Sequence, residues 1–267
     1  REKCLALLLA HGFALADARL LLDAWLVHGD FLLSDLPASG SGAGLAVAFD
    51  VVVGNPPYVR QELMAPALLA EYRRRYSTLY DRADLYVPFI ERALGLLAPG
   101  GRLAFICADR WMKNRYGGPL RALVARHYHL QAVVDMVHAD AFEQEVSAYP
   151  AITVLARAPA GPTLVAQQPV LAAEALAPLA AGLRSGLPDA RLGVHQLKDV
   201  VRGDAPWVLH QAPLEALLRR LEARWPTLEQ AGCKVGIGVA TGADKVFIGD
   251  WASLPVEPSR KLPLATD

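Results

Sequence analysis

Cysteine is nearly absent. The 267 residues hold Cys4, Cys107 and Cys233 alone, and no two of them stand as a CxxC pair. So sparse and odd a set excludes a disulfide framework and offers no zinc-binding pattern, which is the usage expected of a reducing cytoplasm. A surplus of charge is missing too. Lys+Arg and Asp+Glu balance at 27 each, so no global field announces a nucleic-acid partner, and only a locally basic groove remains open to one. No apolar run is long enough to cross a bilayer, because the best candidate, residues 4–27, is broken by His11, Asp17, Arg19 and Asp23. Neither a signal-peptide layout nor an internal repeat is read in the sequence.

What is present is apolar and punctuated. Hydrophobic residues make up 53% of the chain and charged residues 20%, ample for the core of one large domain, or of one domain and part of another. Residues 3–27 set Leu5, Leu8 and Leu9, then Leu20, Leu21, Ala24 and Trp25, at helical spacing, with Gly12 as a break. SDLPASGSGAG, residues 34–44, reads as a small-residue loop. AVAFDVVVG (46–54) then has the continuous β-branched character of a strand buried on both faces. A helix is expected in DLYVPFIERALGLLAPGG (84–101), a second strand in RLAFICAD (102–109) and a second helix in GPLRALVARHY (118–128). LQAVVDMV (130–137) and YPAITVLARA (149–158) complete the strands.

Apolar strands alternating with helices predict an α/β fold around a parallel-rich sheet, whose ligands sit beyond the carboxyl ends of the strands. Residues 159–206 turn to Ala, Pro, Gly and Leu with little periodicity and read as a linker or an irregular excursion. One more helix is expected at 212–231, interrupted by Pro226, and two short strands joined by a Thr-Gly turn at 233–250.

FDVVVGNPPYVRQE, residues 49–62, carries the chemistry. Two prolines cannot donate to a sheet ladder, so Asn55-Pro56-Pro57-Tyr58 stops the strand and holds a stiff backbone at its carboxyl end. An exocyclic amine on a planar ring is a poor nucleophile, since its lone pair is delocalised into the ring. The Asn55 side-chain oxygen and the Pro56 carbonyl can each accept one N–H bond, favouring a tetrahedral nitrogen whose lone pair leaves the ring plane. The Tyr58 ring can stack on the substrate ring. The same tetrapeptide also fits a plain strand-ending turn with a tyrosine lid.

FDVVVGNPPY resembles the catalytic motif of amino-methyltransferases that use S-adenosylmethionine. HGDFLLSD (28–35), the stretch 80–121 and VVDMVHADAFEQEVSAYPAITVLAR (133–157) are similar to the adenine-specific DNA methyltransferases of restriction–modification systems, notably the Taq-type and Type IIG methylases. GIGVATGADKVF (236–247) is similar to the segment that opens their target-recognition region. The resemblance implies that Asn55 and the Pro56 carbonyl hold the amino group of an adenine flipped out of duplex DNA, and that Tyr58 stacks on that base. Phe142 matches an aromatic packing on the base from another side. Asp30, Phe31, Pro57 and Phe89 match contacts to the adenine moiety of the cofactor. Phe31 and Phe89 fit core positions equally well, Asp30 a turn cap and Phe142 a loop anchor. Arg60 and Lys113, each following a strand end, are candidate phosphate contacts, with Arg73, Arg74, Arg75, Arg110 and Arg115 nearby in the sequence. The run Arg73–Arg75 also reads as a solvated helix face.

The resemblance implies a partial Rossmann-like methyltransferase sheet in residues 1–158, a linker and helical excursion in 159–231, and the start of a target-recognition domain in 232–267. It implies S-adenosylmethionine as cofactor, double-stranded DNA as partner, no metal, no membrane and no obligate protein partner. The family's Gly-rich loop for the methionine end, followed by an acidic residue, is not found before Gly29, and GSGAG precedes a strand instead of following one. A segment of a longer enzyme is therefore expected, weak in cofactor binding and inactive alone, with the strand at 51–53 exposing an unpaired edge. Two other readings remain open at this point. One is a protein glutamine methyltransferase acting on release factors, which shares the Asn-Pro-Pro-Tyr motif; the other is a non-catalytic DNA-recognition fragment.

Overall fold

The computed structural model describes residues 1–34, 48–137, 150–167, 169–209, 212–234 and 244–263. The chain divides into two compact units, Arg1–Ala212 and Pro213–Asp267.

The first unit opens with helices α1 (Glu2–Ala10) and α2 (Leu15–Trp25), separated where Gly12 takes a positive φ of 87°. That conformation costs glycine little and ends the first helix as the sequence predicts. Strand β1 (Phe49–Gly54) follows, then α3 (Pro66–Arg75), which has proline at its first turn, where no amide hydrogen is needed. Helix α4 (Tyr86–Gly95) leads directly into β2 (Leu97–Ala108), a longer strand than the pattern alone suggests. A short helix α5 (Arg110–Lys113) and α6 (Gly118–His127) return the chain to β3 (His129–Asp135), followed by β4 (Pro150–Ala156). Strand β5 (Thr163–Gln167), α7 (Ala173–Ser185) and β6 (Val194–Leu197) complete the sheet.

The sheet has six strands in the order β1-β2-β4-β3-β5-β6. Strands β1 and β2 are parallel, as are β3 and β5, whereas β4 runs antiparallel to both β2 and β3, and β6 antiparallel to β5. Thus β1, β2, β3 and β5 point one way, and β4 and β6 are threaded in against them. The expected parallel bias holds for strand direction, but the sheet is mixed in its pairings. The carboxyl ends of β1, β2 and β3 all reach the same rim.

Side-chain alternation on the pleat builds two cores. Leu103, Phe105 and Cys107 of β2, with Val133 of β3 and Leu155 of β4, pack under Tyr86, Val87, Ile90 and Leu94 of α4 and Leu120 and Val124 of α6. The neighbouring residues Ala132 and Val134 face the other way, joining Leu164, Ala166 and Val194 beneath Leu179 of α7. Each fully buried Leu, Ile or Val contributes roughly 1.5–3 kcal/mol relative to exposure, so the first core dominates the unit.

Four expectations are corrected. Strand β1 is an edge strand, as expected, but it is not buried on both faces, since Val51 and Val53 are 61% and 73% exposed. Its apolar composition describes a strand built for cover, but among the described residues only β2 flanks it. Residues 159–206 are not a linker, since β5, α7 and β6 lie there and extend the sheet. Strands of five and four residues are too short to show a period, and Pro178 inside α7 masks a helix otherwise rich in alanine. In the second unit, the helix read over 212–231 is broken at Pro226 as expected, but it does not resume: α8 covers Ala212–Arg224 and residues 228–231 form turns instead. Residues 244–247 form a short helix, α9 (Asp244–Phe247), where a second strand was expected, and the Thr-Gly turn before it lies outside the described residues. No described helix is long and apolar enough to cross a membrane.

Candidate functional site

Strand β1 ends at Gly54, opposite Phe105 of β2. The Phe105 ring lies so near that a Cβ on residue 54 would stand 2.9 Å from its Cε1, so glycine lets the two strands close up just before the motif. Beyond it Asn55 is exposed, Pro56 is buried, Pro57 is exposed and Tyr58 keeps 38% of its surface in solvent. The stiff pair thus pins one ring into the protein and leaves the amide free at the rim. The Leu85 amide donates to the Val59 carbonyl at 2.9 Å, fastening this loop to the start of α4.

The Tyr58 ring lies against Tyr86 of α4, with centroids 6.1 Å apart at 55°. Tyr86 is fully buried, and its hydroxyl is hydrogen-bonded to that of Tyr116, 2.7 Å away. Three tyrosines from three segments therefore back one another at the strand ends. Burial pushes the Tyr58 phenol up to about 12, with Cys107 adding to the shift. The same burial pushes the Cys107 thiol up to about 12, partly offset by the nearby Trp111 indole. Burial likewise raises the Asp84 carboxyl, opposed by Arg60 and Arg110 and reinforced by Glu62. Two cations, Arg60 after β1 and Arg110 after β2, thus act electrostatically on one half-buried carboxylate.

The loop after β2 is held from beneath. Asp109 is buried and accepts from Lys113 Nζ at 2.5 Å, so Lys113 is engaged within its own helical turn. Arg121 of α6 is buried and donates to the carbonyls of Trp111 (2.5 Å), Asn114 (2.8 Å) and Asp204 (2.9 Å). Trp111 meets Trp207 edge-on at 4.8 Å, and the Trp207 amide donates to the Met112 carbonyl at 2.9 Å.

A second group forms around the turn at residues 30–34. The Ser34 and Leu33 amides donate to the Asp30 carbonyl, and the Leu32 amide donates to Asp30 Oδ1 at 2.8 Å. Phe31 and Phe89 are half-buried, with centroids 5.1 Å apart, and the Arg92 guanidinium lies 5.1 Å over the Phe31 ring. The two groups are connected through α3. Gln61, in the loop after β1, accepts from Arg73 at 2.5 Å and donates to the Asp81 carbonyl, while Tyr72 beside Arg73 bonds Asp30.

The structure therefore brings Asp30, Phe31 and Phe89 together, and sets Asn55, Pro56, Pro57, Tyr58 and Arg60 along one loop at the β1 end. Lys113 belongs to the next loop, and Phe142 lies outside the described residues. Arg73, Arg74 and Arg75 are used within the protein, the last two on Glu71. The sequence reading did not single out Asp84, Tyr86 or Arg92. Their shared signal is position: Asp84 lies just before α4, and Tyr86 and Arg92 lie on it.

Residues 27–142 match the profile of the Eco57I restriction-modification methylase family. The chain is 56% identical to the Type II methyltransferase M.PaeR7I of Pseudomonas aeruginosa, over 98% of this chain and 44% of that protein. It is 55% identical to the Type II methyltransferase M.XhoI of Xanthomonas vasicola, over 99% of this chain and 48% of that protein. The chain thus spans about half the length of the curated relatives it matches. Its fold is similar to a modification subunit assigned to a type I restriction enzyme from Vibrio vulnificus. There the TM-score is 0.50 with 12% identity, over 66% of this chain and 41% of the other. The mixed α/β sheet is accordingly Rossmann-like, and by sequence residues 27–142 belong to the Eco57I restriction-modification methylase family, within a chain similar over nearly its whole length to Type II methyltransferases.

Proposed function

We propose that this chain carries the catalytic motif of an adenine-specific DNA methyltransferase, which moves a methyl group from S-adenosylmethionine to the N6 amine of an adenine flipped out of duplex DNA. The observation that carries the reading is the pose of Asn55-Pro56-Pro57-Tyr58. An exposed amide and a fixed carbonyl stand at the rim of the sheet beside a half-exposed tyrosine backed by Tyr86 and Tyr116. An adenine inside a duplex is out of reach, and flipping it costs a few kcal/mol that stacking in a pocket offsets.

In this reading the Asn55 side-chain oxygen and the Pro56 carbonyl accept the two N–H bonds of the target amine. They hold its nitrogen near tetrahedral, and Tyr58 stacks on the base. A phenol is uncharged at neutral pH and burial raises that of Tyr58 further, so its ring meets the base uncharged. The resemblance assigns Phe142, outside the described residues, to the same base. Arg60 and Lys113 bear on phosphates, fixing register without reading sequence.

The residues present fit the adenine end of the cofactor. Phe31 and Phe89 offer half-exposed ring faces, and the Asp30 carboxylate keeps acceptor capacity for an exocyclic amine beyond the two bonds it already accepts. Pro57 adds an apolar wall. S-adenosylmethionine, when bound, supplies a sulfonium-activated methyl group, which leaves the protein to orient the amine. The separate compact unit from Pro213 supports the start of a target-recognition domain in residues 232–267.

The test offers the intact protein methyl-labelled S-adenosylmethionine with either duplex DNA or a release factor. Label in DNA is the expected result. Label in the release factor establishes the glutamine methyltransferase instead, and DNA binding without transfer establishes a recognition fragment.

A further inference from the structure

The turn that presents Asp30 and Phe31 is gripped from two helices by side chains that do not belong to it. From α3 and the residue that follows it, the Tyr72 hydroxyl donates to Asp30 Oδ2 at 2.5 Å, the Tyr76 hydroxyl to the Leu32 carbonyl at 2.6 Å, and Arg75 to the Leu33 carbonyl at 3.0 Å. From α4, Arg92 donates to the Leu32 carbonyl at 3.1 Å and to the Ser34 carbonyl, while its guanidinium covers the Phe31 ring. Three successive carbonyls, one carboxylate oxygen and one ring face are thereby fixed from outside. A turn needing only to be folded would be served by its own bonds, from the Leu32, Leu33 and Ser34 amides to Asp30.

We infer that Tyr72 and Arg92 are positioning residues for cofactor binding: Tyr72 aims the Asp30 carboxylate, and Arg92 sets the plane of the Phe31 ring. The inference rests on the reading above, in which Asp30 and Phe31 meet the cofactor's adenine moiety. Each carboxylate oxygen accepts about two hydrogen bonds. Leu32 occupies one site on Oδ1 and Tyr72 one on Oδ2, so a site on each oxygen stays available and its direction is set. The Tyr72 phenol is raised by burial first and by Asp30 second, so it stays a donor throughout the neutral range. Its ring is buried in the first core, and phenylalanine would fill that space equally well. The hydroxyl alone is therefore what Asp30 uses. Arg92 is not replaceable by lysine, because a point charge cannot bridge two carbonyls while lying flat on a ring.

The test uses Tyr72→Phe, Arg92→Lys, Asp30→Asn and the Tyr72→Phe/Asp30→Asn pair in the intact protein. Calorimetric S-adenosylmethionine binding is measured beside methylation kinetics and thermal unfolding. Tyr72→Phe is expected to weaken cofactor binding about ten-fold, the loss of one hydrogen bond to a charged group, with cofactor KM rising equally. The kcat at saturating cofactor and the DNA KM stay within about two-fold of wild type, as a positioning role toward the cofactor alone requires. Arg92→Lys gives the same split. The double variant binds cofactor no more weakly than Asp30→Asn alone, because Tyr72 acts through Asp30. Unchanged cofactor affinity in Tyr72→Phe overturns the inference. So do additive losses in the double variant, or a parallel fall in kcat, DNA affinity and melting temperature. A wild-type protein that binds the cofactor but methylates something other than DNA sinks the functional reading and leaves this one standing. A wild-type protein that binds no cofactor sinks both.

Discussion

Gly54 and Phe105 face each other across the parallel pair β1–β2, and the Phe105 ring lies where a side chain on residue 54 would begin. The contact sets how the motif leaves the sheet, because Asn55 is the next residue. Gly54→Ala forces either the ring or the strand to move, and Phe105 is almost wholly buried. Overpacking of this kind costs about 1–3 kcal/mol, read as a lower denaturant midpoint. The loss shrinks when Phe105→Leu is made together with it, since the colliding ring edge is gone.

Arg121 ties three carbonyls from two segments to one buried guanidinium. Arg121→Lys cannot reproduce the fork, and losing the bond to the buried Trp111 carbonyl costs about 1–3 kcal/mol, while the Asn114 and Asp204 carbonyls, on exposed residues, can turn to water. Denaturant unfolding measures it. Hydrogen exchange gives the location, with the Trp207 and Asn114 amides losing protection first.

Much of this was legible in the sequence. The motif's place at a strand end followed from two prolines after a β-branched run, and the helix break at Gly12 and the stop before Pro226 followed from local chemistry. The threading of β4 between β2 and β3 was not legible, because a strand's residues record burial and not the direction of their neighbours. Strand β1 misled for a related reason: Val51 and Val53 are apolar as if covered, while the described chain leaves them open. The carbonyl grips made by Arg92 and Arg121 join residues 60 and 83 positions apart, and their acceptors are backbone atoms that any sequence would supply.

Cys107 gives a pH signature. The folded state holds its proton more tightly than the unfolded state does, moving the thiol from 9.0 to about 12. Between those values the native protein binds more protons, so stability is full below the lower one and falls as pH rises through the range. The thiol's own share of the slope is at most about 1.4 kcal/mol per pH unit, and Cys107→Ala removes that share, leaving above about pH 10 the part supplied by the Tyr58, Tyr72 and Tyr86 phenols, which burial also raises. At about pH 8 a thiol reagent modifies exposed Cys4 and Cys233 rapidly and Cys107 only after unfolding.

Tyr58 separates stacking from hydroxyl chemistry. Tyr58→Phe keeps the ring against Tyr86 and retains most of the methylation rate. Tyr58→Ala removes the platform and lowers kcat/KM for DNA roughly ten- to a hundred-fold, from a stacking energy of about 1–3 kcal/mol per base. Steady-state kinetics on one duplex substrate distinguishes the two.

The central claim is that Asn55 and Pro56 clamp the N6 amine of adenine. The most direct measurement digests duplex DNA methylated by the intact protein to nucleosides, identifies the product by mass spectrometry, and repeats the reaction with Asn55→Ala. The account predicts N6-methyladenine as the product, and loss of transfer in the variant with DNA binding largely kept. Methylated cytosine in the digest, or undiminished transfer by Asn55→Ala, would contradict it.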